Sequence, residues 1–156
     1  MIRLSLAEIA RHLGGQLLGD DLLIEQVSSD SRAVDAKTLF VALKGDNFDA
    51  HDFVSSAMGN GAKAALVERE LPDAISQIVV EDSQRAMGEL GAYVRDKVAP
   101  ICVALTGSNG KTSVKEMVAT ILSQRHQVLY TAGNFNNEIG VPLTLLRLQA
   151  DDHFGV

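Results

Sequence analysis

The run Val103-Ala104-Leu105-Thr106-Gly107-Ser108-Asn109-Gly110-Lys111-Thr112-Ser113 constrains this chain more than any other, because an apolar, strand-like stretch turns through glycines into Lys-Thr and an amphipathic helix. Strand, glycine loop and helix in that order make a phosphate cradle. Backbone N–H groups converge on phosphate oxygens, and the helix N-terminus adds the positive end of its dipole. In that reading Gly107, Ser108, Asn109, Gly110 and Ser113 surround the phosphates, Lys111 reaches the β- and γ-phosphates, and the Thr112 hydroxyl ligates Mg²⁺. The usual pattern has a further glycine where this chain has Leu105, so the match lacks one position. Its flanks supply the missing support. Ile101 to Leu105 follow Pro100 as a buried strand, and Val114, Met117, Val118, Ile121 and Leu122 fall on one apolar helix face. An ordinary βα turn with a capped helix is the competing reading of Gly-Lys-Thr.

With 156 residues, 46% hydrophobic and 22% charged, the chain has the balance of a folded domain or two small ones. No apolar stretch reaches the roughly 20 residues of a membrane span, and Met1-Ile2-Arg3-Leu4-Ser5 lacks the layout of a signal peptide. The expectation is a cytoplasmic protein with no membrane insertion. Cys102, alone of its kind, is expected inside the strand before the phosphate loop as a buried, inert thiol. The histidines His12, His51, His126 and His153 have no metal-ligand spacing. A net charge of −6 argues against a nucleic-acid partner, so any phosphate site must be made locally.

Ser5 and Glu8 form a capping box for a helix carrying Leu6, Ile9, Ala10 and Leu13, closed by Gly14-Gly15. Short strands are predicted at Gln16 to Leu18, Ile24 to Val27, Leu39 to Leu43, Ala64 to Val67 and Ile78 to Val80, with a helix from Asp52 to Met58. Asp82 or Ser83 then caps a helix with Met87, Leu90, Gly91, Val94 and Val98 inward. After the phosphate loop and its helix come a strand, Val128 to Thr131, and a helix, Pro142 to Leu148. The fold class is therefore α/β: a small N-terminal α/β domain, residues 1–82, followed by the incomplete start of a P-loop parallel-sheet αβα domain, residues 83–156.

Three loops carry chemistry. Ser28-Ser29-Asp30-Ser31-Arg32 offers small donors and acceptors ending in a guanidinium, suited to a ribose, base or phosphate, or else is a plain Ser/Asp turn. Lys44-Gly45-Asp46-Asn47-Phe48-Asp49-Ala50-His51 ends an apolar strand with a cation, backbone donors and a ring, Phe48, that either stacks on a ligand or plugs the core. Thr131-Ala132-Gly133-Asn134-Phe135-Asn136-Asn137-Glu138-Ile139-Gly140-Val141-Pro142 crowds three asparagines between glycines, as a binding loop beside the phosphate loop or as Asx caps before a helix.

Thr106-Gly107-Ser108-Asn109-Gly110-Lys111-Thr112-Ser113-Val114-Lys115-Glu116-Met117 together with the Asn-rich loop resembles the Mur ligase family, which builds the peptide stem of bacterial peptidoglycan. Leu39-Phe40-Val41-Ala42-Leu43-Lys44-Gly45 and Phe48-Asp49-Ala50-His51 are similar to its N-terminal domain. The resemblance implies an ATP- and Mg²⁺-dependent amide ligase joining D-alanyl-D-alanine to UDP-N-acetylmuramoyl-tripeptide through an acyl phosphate, acting as a monomer. Lys111 and Thr112 would be its catalytic residues here, Thr112 the metal ligand, and Asn134 and Asn137 would orient phosphate or sugar. Ser29, Ser31, Arg32, Lys44, Gly45, Asp46, Asn47 and Phe48 would contact the UDP part of the substrate. The family also uses an acidic Mg²⁺ ligand, a carbamylated lysine and a C-terminal domain, so this chain is expected to be an N-terminal portion, inactive alone. A UDP-sugar or nucleotide binding module and the related ligase that adds the third stem residue are the alternatives.

Overall fold

A computed structural model describes residues 1–45, 48–133 and 135–156. The chain begins β1 (Leu4–Ser5), α1 (Leu6–Leu13), β2 (Gln16–Leu18), β3 (Leu23–Ile24), β4 (Gln26–Ser28) and β5 (Thr38–Val41). It continues through β6 (Lys44–Gly45), β7 (Phe48–Asp49), a 3-10 turn (Ala50–Phe53), α2 (Val54–Gly59), β8 (Ala64–Val67) and β9 (Ser76–Val79). Then follow α3 (Ser83–Val98), β10 (Ile101–Cys102), α4 (Lys111–Leu122), β11 (Val128–Leu129), α5 (Gly140–Leu145) and β12 (Phe154–Gly155).

The larger sheet has the order β2-β9-β8-β5-β4, parallel except for β2, which pairs antiparallel with β9. Period-two alternation decides what covers each face. Leu39, Val41, Ala64, Leu66 and Ile78 point into one apolar cluster with Leu6 and Ile9 of α1 and Met87, Leu90 and Val94 of α3. Phe40, Ala42, Ala65 and Val67 point the other way, against Val54 and Ala57 of α2. Full burial of each such Leu, Ile or Phe is worth roughly 1.5–3 kcal/mol. The strand expected from Ile24 to Val27 is split at Glu25, because its halves pair with different partners: β3 with β1, and β4 with β5.

Helices α1 and α3 start at the caps the sequence offers, whereas the helix expected from Asp52 to Met58 is a 3-10 turn followed by Val54–Gly59, and the one expected from Pro142 to Leu148 is Gly140–Leu145. Ser5 Oγ accepts from Glu8 N at 3.1 Å, and Gly14, at φ 63°, closes α1. Asp82 Oδ1 accepts from Arg85 N at 2.8 Å, and Glu68 Oε1 accepts from both the backbone and the hydroxyl of Ser83. The phenol of Tyr93 in α3 donates to Glu8 of α1 at 2.6 Å, and Lys97 reaches the same carboxylate at 2.7 Å. These donors, Lys97 first, hold the Glu8 carboxyl below its ordinary range.

The second sheet is parallel and ordered β10-β12-β11, so the strand latest in the chain lies in the middle. Helix α5 packs on α3, and a Cβ at Gly91 would stand 3.3 Å from Pro142 Cα, which is how closely the two helices approach. Two expectations fail in this region. Cys102 is exposed rather than buried, and the buried strand expected from Ile101 to Leu105 shrinks to Ile101–Cys102 with both residues exposed. The expected inward face of α4 is likewise only partly covered: Val118 and Leu122 are half-buried, whereas Met117 is 64% and Ile121 70% exposed. Periodicity tells which face is apolar, and no described element covers this one.

Candidate functional site

The phosphate loop leaves β10 and enters α4 through two glycines in the left-handed half of backbone space, Gly107 at φ 142° and Gly110 at φ 78°. Any side chain is strained there, so the loop needs glycine at both positions. Gly110 is the N-cap of α4 and provides no side-chain cap, unlike Ser5 and Asp82 at the starts of α1 and α3. No N-cap side chain therefore competes with an anion for the start of α4. Lys111 folds its ammonium back to donate to the Gly107 carbonyl, which curls the loop around its own lysine. Ser108, Asn109, Thr112 and Ser113 are exposed along this turn.

Lys111 and Thr112 line a cavity of ≈ 390 Å³ at the carboxyl ends of the three parallel strands, bordered by Val103, Thr131 and Val156. The crevice beyond the carboxyl ends of parallel strands is where open α/β sheets bind ligands. The Asn-rich loop forms the opposite rim through Gly133 and Asn136. Asn137 acts locally, its Oδ1 accepting from Gly140 N at 2.7 Å, which is the Asx cap that was its alternative reading. Gly140 must be glycine, since a Cβ would lie 2.6 Å from Phe135 Cα. Asn134 lies outside the described residues, as do Asp46 and Asn47. One site residue was missed by the sequence reading. Lys115, on the first turn after Lys111 and almost fully buried, lines the same cavity and donates to the carbonyl oxygens of Thr131 and Gly133, the latter at 3.1 Å. Its i+4 spacing from Lys111 was the available signal.

The other candidate loops gather on one edge of the larger sheet. Because β4, β5, β8 and β9 are parallel, the segments after Ser28, Val41, Val67 and Val79 all leave at the same edge. Arg32 is exposed there and grips Asp30 with both arms of its fork, Nε to Oδ1 at 2.9 Å and Nη2 to Oδ2 at 2.8 Å. That guanidinium holds the Asp30 carboxyl down at about 2. Asn60 donates to the Ser31 carbonyl at 2.9 Å, which ties the loop to the end of α2. Ser29 stands half-buried between them. Phe48 is 56% exposed and stacks on Phe53 with ring centroids 5.5 Å apart, so it is not a core plug. His51 behind it is buried, Nδ1 towards Asp49 and Nε2 accepting from Glu68 N at 2.8 Å. His51, by its backbone N–H first, and Arg69 keep Asp49 well below the usual carboxylate range. Lys44 and Gly45 open onto a second cavity, ≈ 670 Å³, whose far wall carries Gln84 of α3 and Glu138 of the Asn-rich loop. The two loop groups are thus neighbours in space through the start of α3.

A glycine loop that opens a helix at the carboxyl ends of parallel strands, with Lys-Thr at a cavity, resembles the arrangement of P-loop α/β proteins. Among α/β proteins, the chain belongs to the Mur ligase family: residues 23–102 match "Mur ligase family, catalytic domain" and residues 105–156 match "Mur ligase middle domain". It is 51% identical over its whole length to the UDP-N-acetylmuramoyl-tripeptide–D-alanyl-D-alanine ligase of Escherichia coli, and covers 34% of that protein. A crystal structure of MurF from Acinetobacter baumannii superposes with a TM-score of 0.92 at 39% identity, over 98% of this chain and 35% of the other. MurF ligase from Thermotoga maritima, solved in complex with ADP, superposes with a TM-score of 0.74 at 33% identity, over 83% of this chain and 30% of that one. The chain therefore spans about a third of the length of the relatives it matches.

Proposed function

We propose that this chain is the substrate-docking and phosphate-binding portion of an ATP-dependent ligase that joins D-alanyl-D-alanine to UDP-N-acetylmuramoyl-tripeptide in peptidoglycan precursor synthesis. The observation that carries the reading is the glycine-initiated start of α4, with Lys111 and Thr112 at a cavity on the carboxyl ends of three parallel strands. A charged phosphate chain fits this donor set of helix N–H groups, one ammonium and one hydroxyl. ATP with Mg²⁺ supplies the phosphoryl group that activates the tripeptide carboxylate. Lys111 would offset charge on the transferring group, Thr112 would hold the metal, and Gly107 to Gly110 would present backbone donors. Residues 83–156 carry this site, and residues 1–82 dock the UDP part at the sheet edge formed by Ser29, Ser31, Arg32, Lys44, Gly45 and Phe48. Asp46, Asn47, Asn134 and Asn137 complete the two loops in this reading.

Calorimetric titration with UDP-N-acetylmuramoyl-tripeptide, against UDP-N-acetylglucosamine as control, tests the docking half. Preferential binding of the muramoyl tripeptide is the expected result. Lys111→Ala is expected to abolish MgATP binding and leave the UDP ligand's affinity intact, and Arg32→Ala to do the reverse. Equal loss of both affinities in either variant would refute the two-site reading.

A further inference from the structure

Lys115 is a lysine buried to 8% exposure whose ammonium meets two backbone carbonyls and, at 3.2 Å, the exposed carboxylate of Glu116. A nearly buried ammonium is costly unless its three donors are used, and a residue of that cost in a helix otherwise covered by Val118, Ala119 and Leu122 needs a reason. The reason lies in what the carbonyls belong to. Thr131 and Gly133 stand at the origin of the Asn-rich loop, and the same ammonium holds both. One turn earlier on the same helix face, Lys111 holds the Gly107 carbonyl of the phosphate loop. The two lysines thus fasten the two loops that border one cavity, each to the same helix.

We propose that Lys115 is a positioning residue: its ammonium sets the origin of the Asn-rich loop relative to the phosphate-binding turn of α4, so that both rims of the cavity move as one. This rests on the nucleotide-site reading of that cavity only for its effect on affinity; the fastening of the loop stands apart from it. Thr131 is half-buried and Gly133 exposed, so water is expected to replace the lost ammonium at their carbonyls when the charge is removed. A methionine of similar length fills the space without the desolvation cost. A positioning role and a merely structural one therefore predict opposite results for Lys115→Met.

The experiment compares the unaltered chain, Lys115→Met and Lys115→Arg by amide hydrogen exchange, thermal unfolding and MgADP titration. In Lys115→Met, exchange of the Phe135 and Gly140 amides, both hydrogen-bonded within the loop, is expected to speed up about 10-fold while Tm holds or rises. MgADP is expected to bind about 10-fold more weakly, and Lys115→Arg, which keeps the donors, to restore much of the protection. A fall in Tm with uniformly faster exchange across α4 and the sheets would overturn the proposal, as would unchanged loop exchange. If the unaltered chain binds no MgADP, the nucleotide reading of the cavity fails and the exchange comparison alone decides the role of Lys115.

Discussion

Asp30 and Arg32 show how a single residue can hold a binding group in reserve. The guanidinium fork expected to meet a phosphate is closed on a neighbouring carboxylate, so an incoming anion competes with Asp30 for it. The Asp30 carboxyl titrates at about 2, below its ordinary value of about 3.9. A depressed folded-state value means that the pairing contributes above the unfolded value and is lost as pH falls through about 2. The Asp30 carboxyl carbon, followed by NMR, should titrate near pH 2, and Arg32→Ala should move that midpoint up towards the ordinary value. A midpoint unmoved by Arg32→Ala would mean that the fork is not the cause. Single residues were the most legible level of this sequence: Ser5 and Asp82 cap the helices they were expected to start. Lys115 was legible only in part: its i+4 spacing from Lys111 puts the two on one helix face, but nothing in a Lys-Glu pair tells that the lysine turns inward to carbonyls of a loop more than a dozen residues on.

At the scale of elements, α3 is the joint on which the rest is arranged. Its N-terminus is fixed twice, by Asp82 on Arg85 N and by Glu68 on Ser83, and its faces meet α1, the larger sheet and α5. Loss of an N-cap carboxylate costs about 1 kcal/mol, and with a slope of about 1–3 kcal/mol/M Asp82→Ala should lower the urea midpoint by roughly 0.3–1 M without changing that slope. A changed slope would show that α3 had come away from the sheet rather than frayed. Helices were readable because their caps are local, whereas strand limits and burial depend on partners far along the chain. Cys102 and Ile101 illustrate this: an apolar run after Pro100 reads as a buried strand, yet only two residues find a neighbour and both stay exposed. The split between β3 and β4 has the same origin, since no pattern near Glu25 announces that β3 will pair with β1.

For the whole molecule, the apolar cluster on one face of the larger sheet runs without a break from Leu4, Ile9 and Ile24 through Met87 and Leu90 to Leu146 and Leu148. Ile2 N also donates to the Leu148 carbonyl at 3.1 Å, which ties the start of the chain to the residues after α5. A continuous core argues for one cooperative transition, so calorimetric and van't Hoff enthalpies of unfolding should agree. Two resolved transitions would show that residues 1–82 and 83–156 unfold separately despite that cluster. Sheet order was not legible at this scale, because sequence patterns give strands and not their neighbours. The order β10-β12-β11 has a consequence for synthesis on the ribosome. The larger sheet has all its strands once Val79 has emerged, and its neighbours pair with little delay. Strands β10 and β11 do not pair with each other and wait for Phe154 and Gly155 to lie between them, so the glycine loop is born early and acquires its fixed shape late.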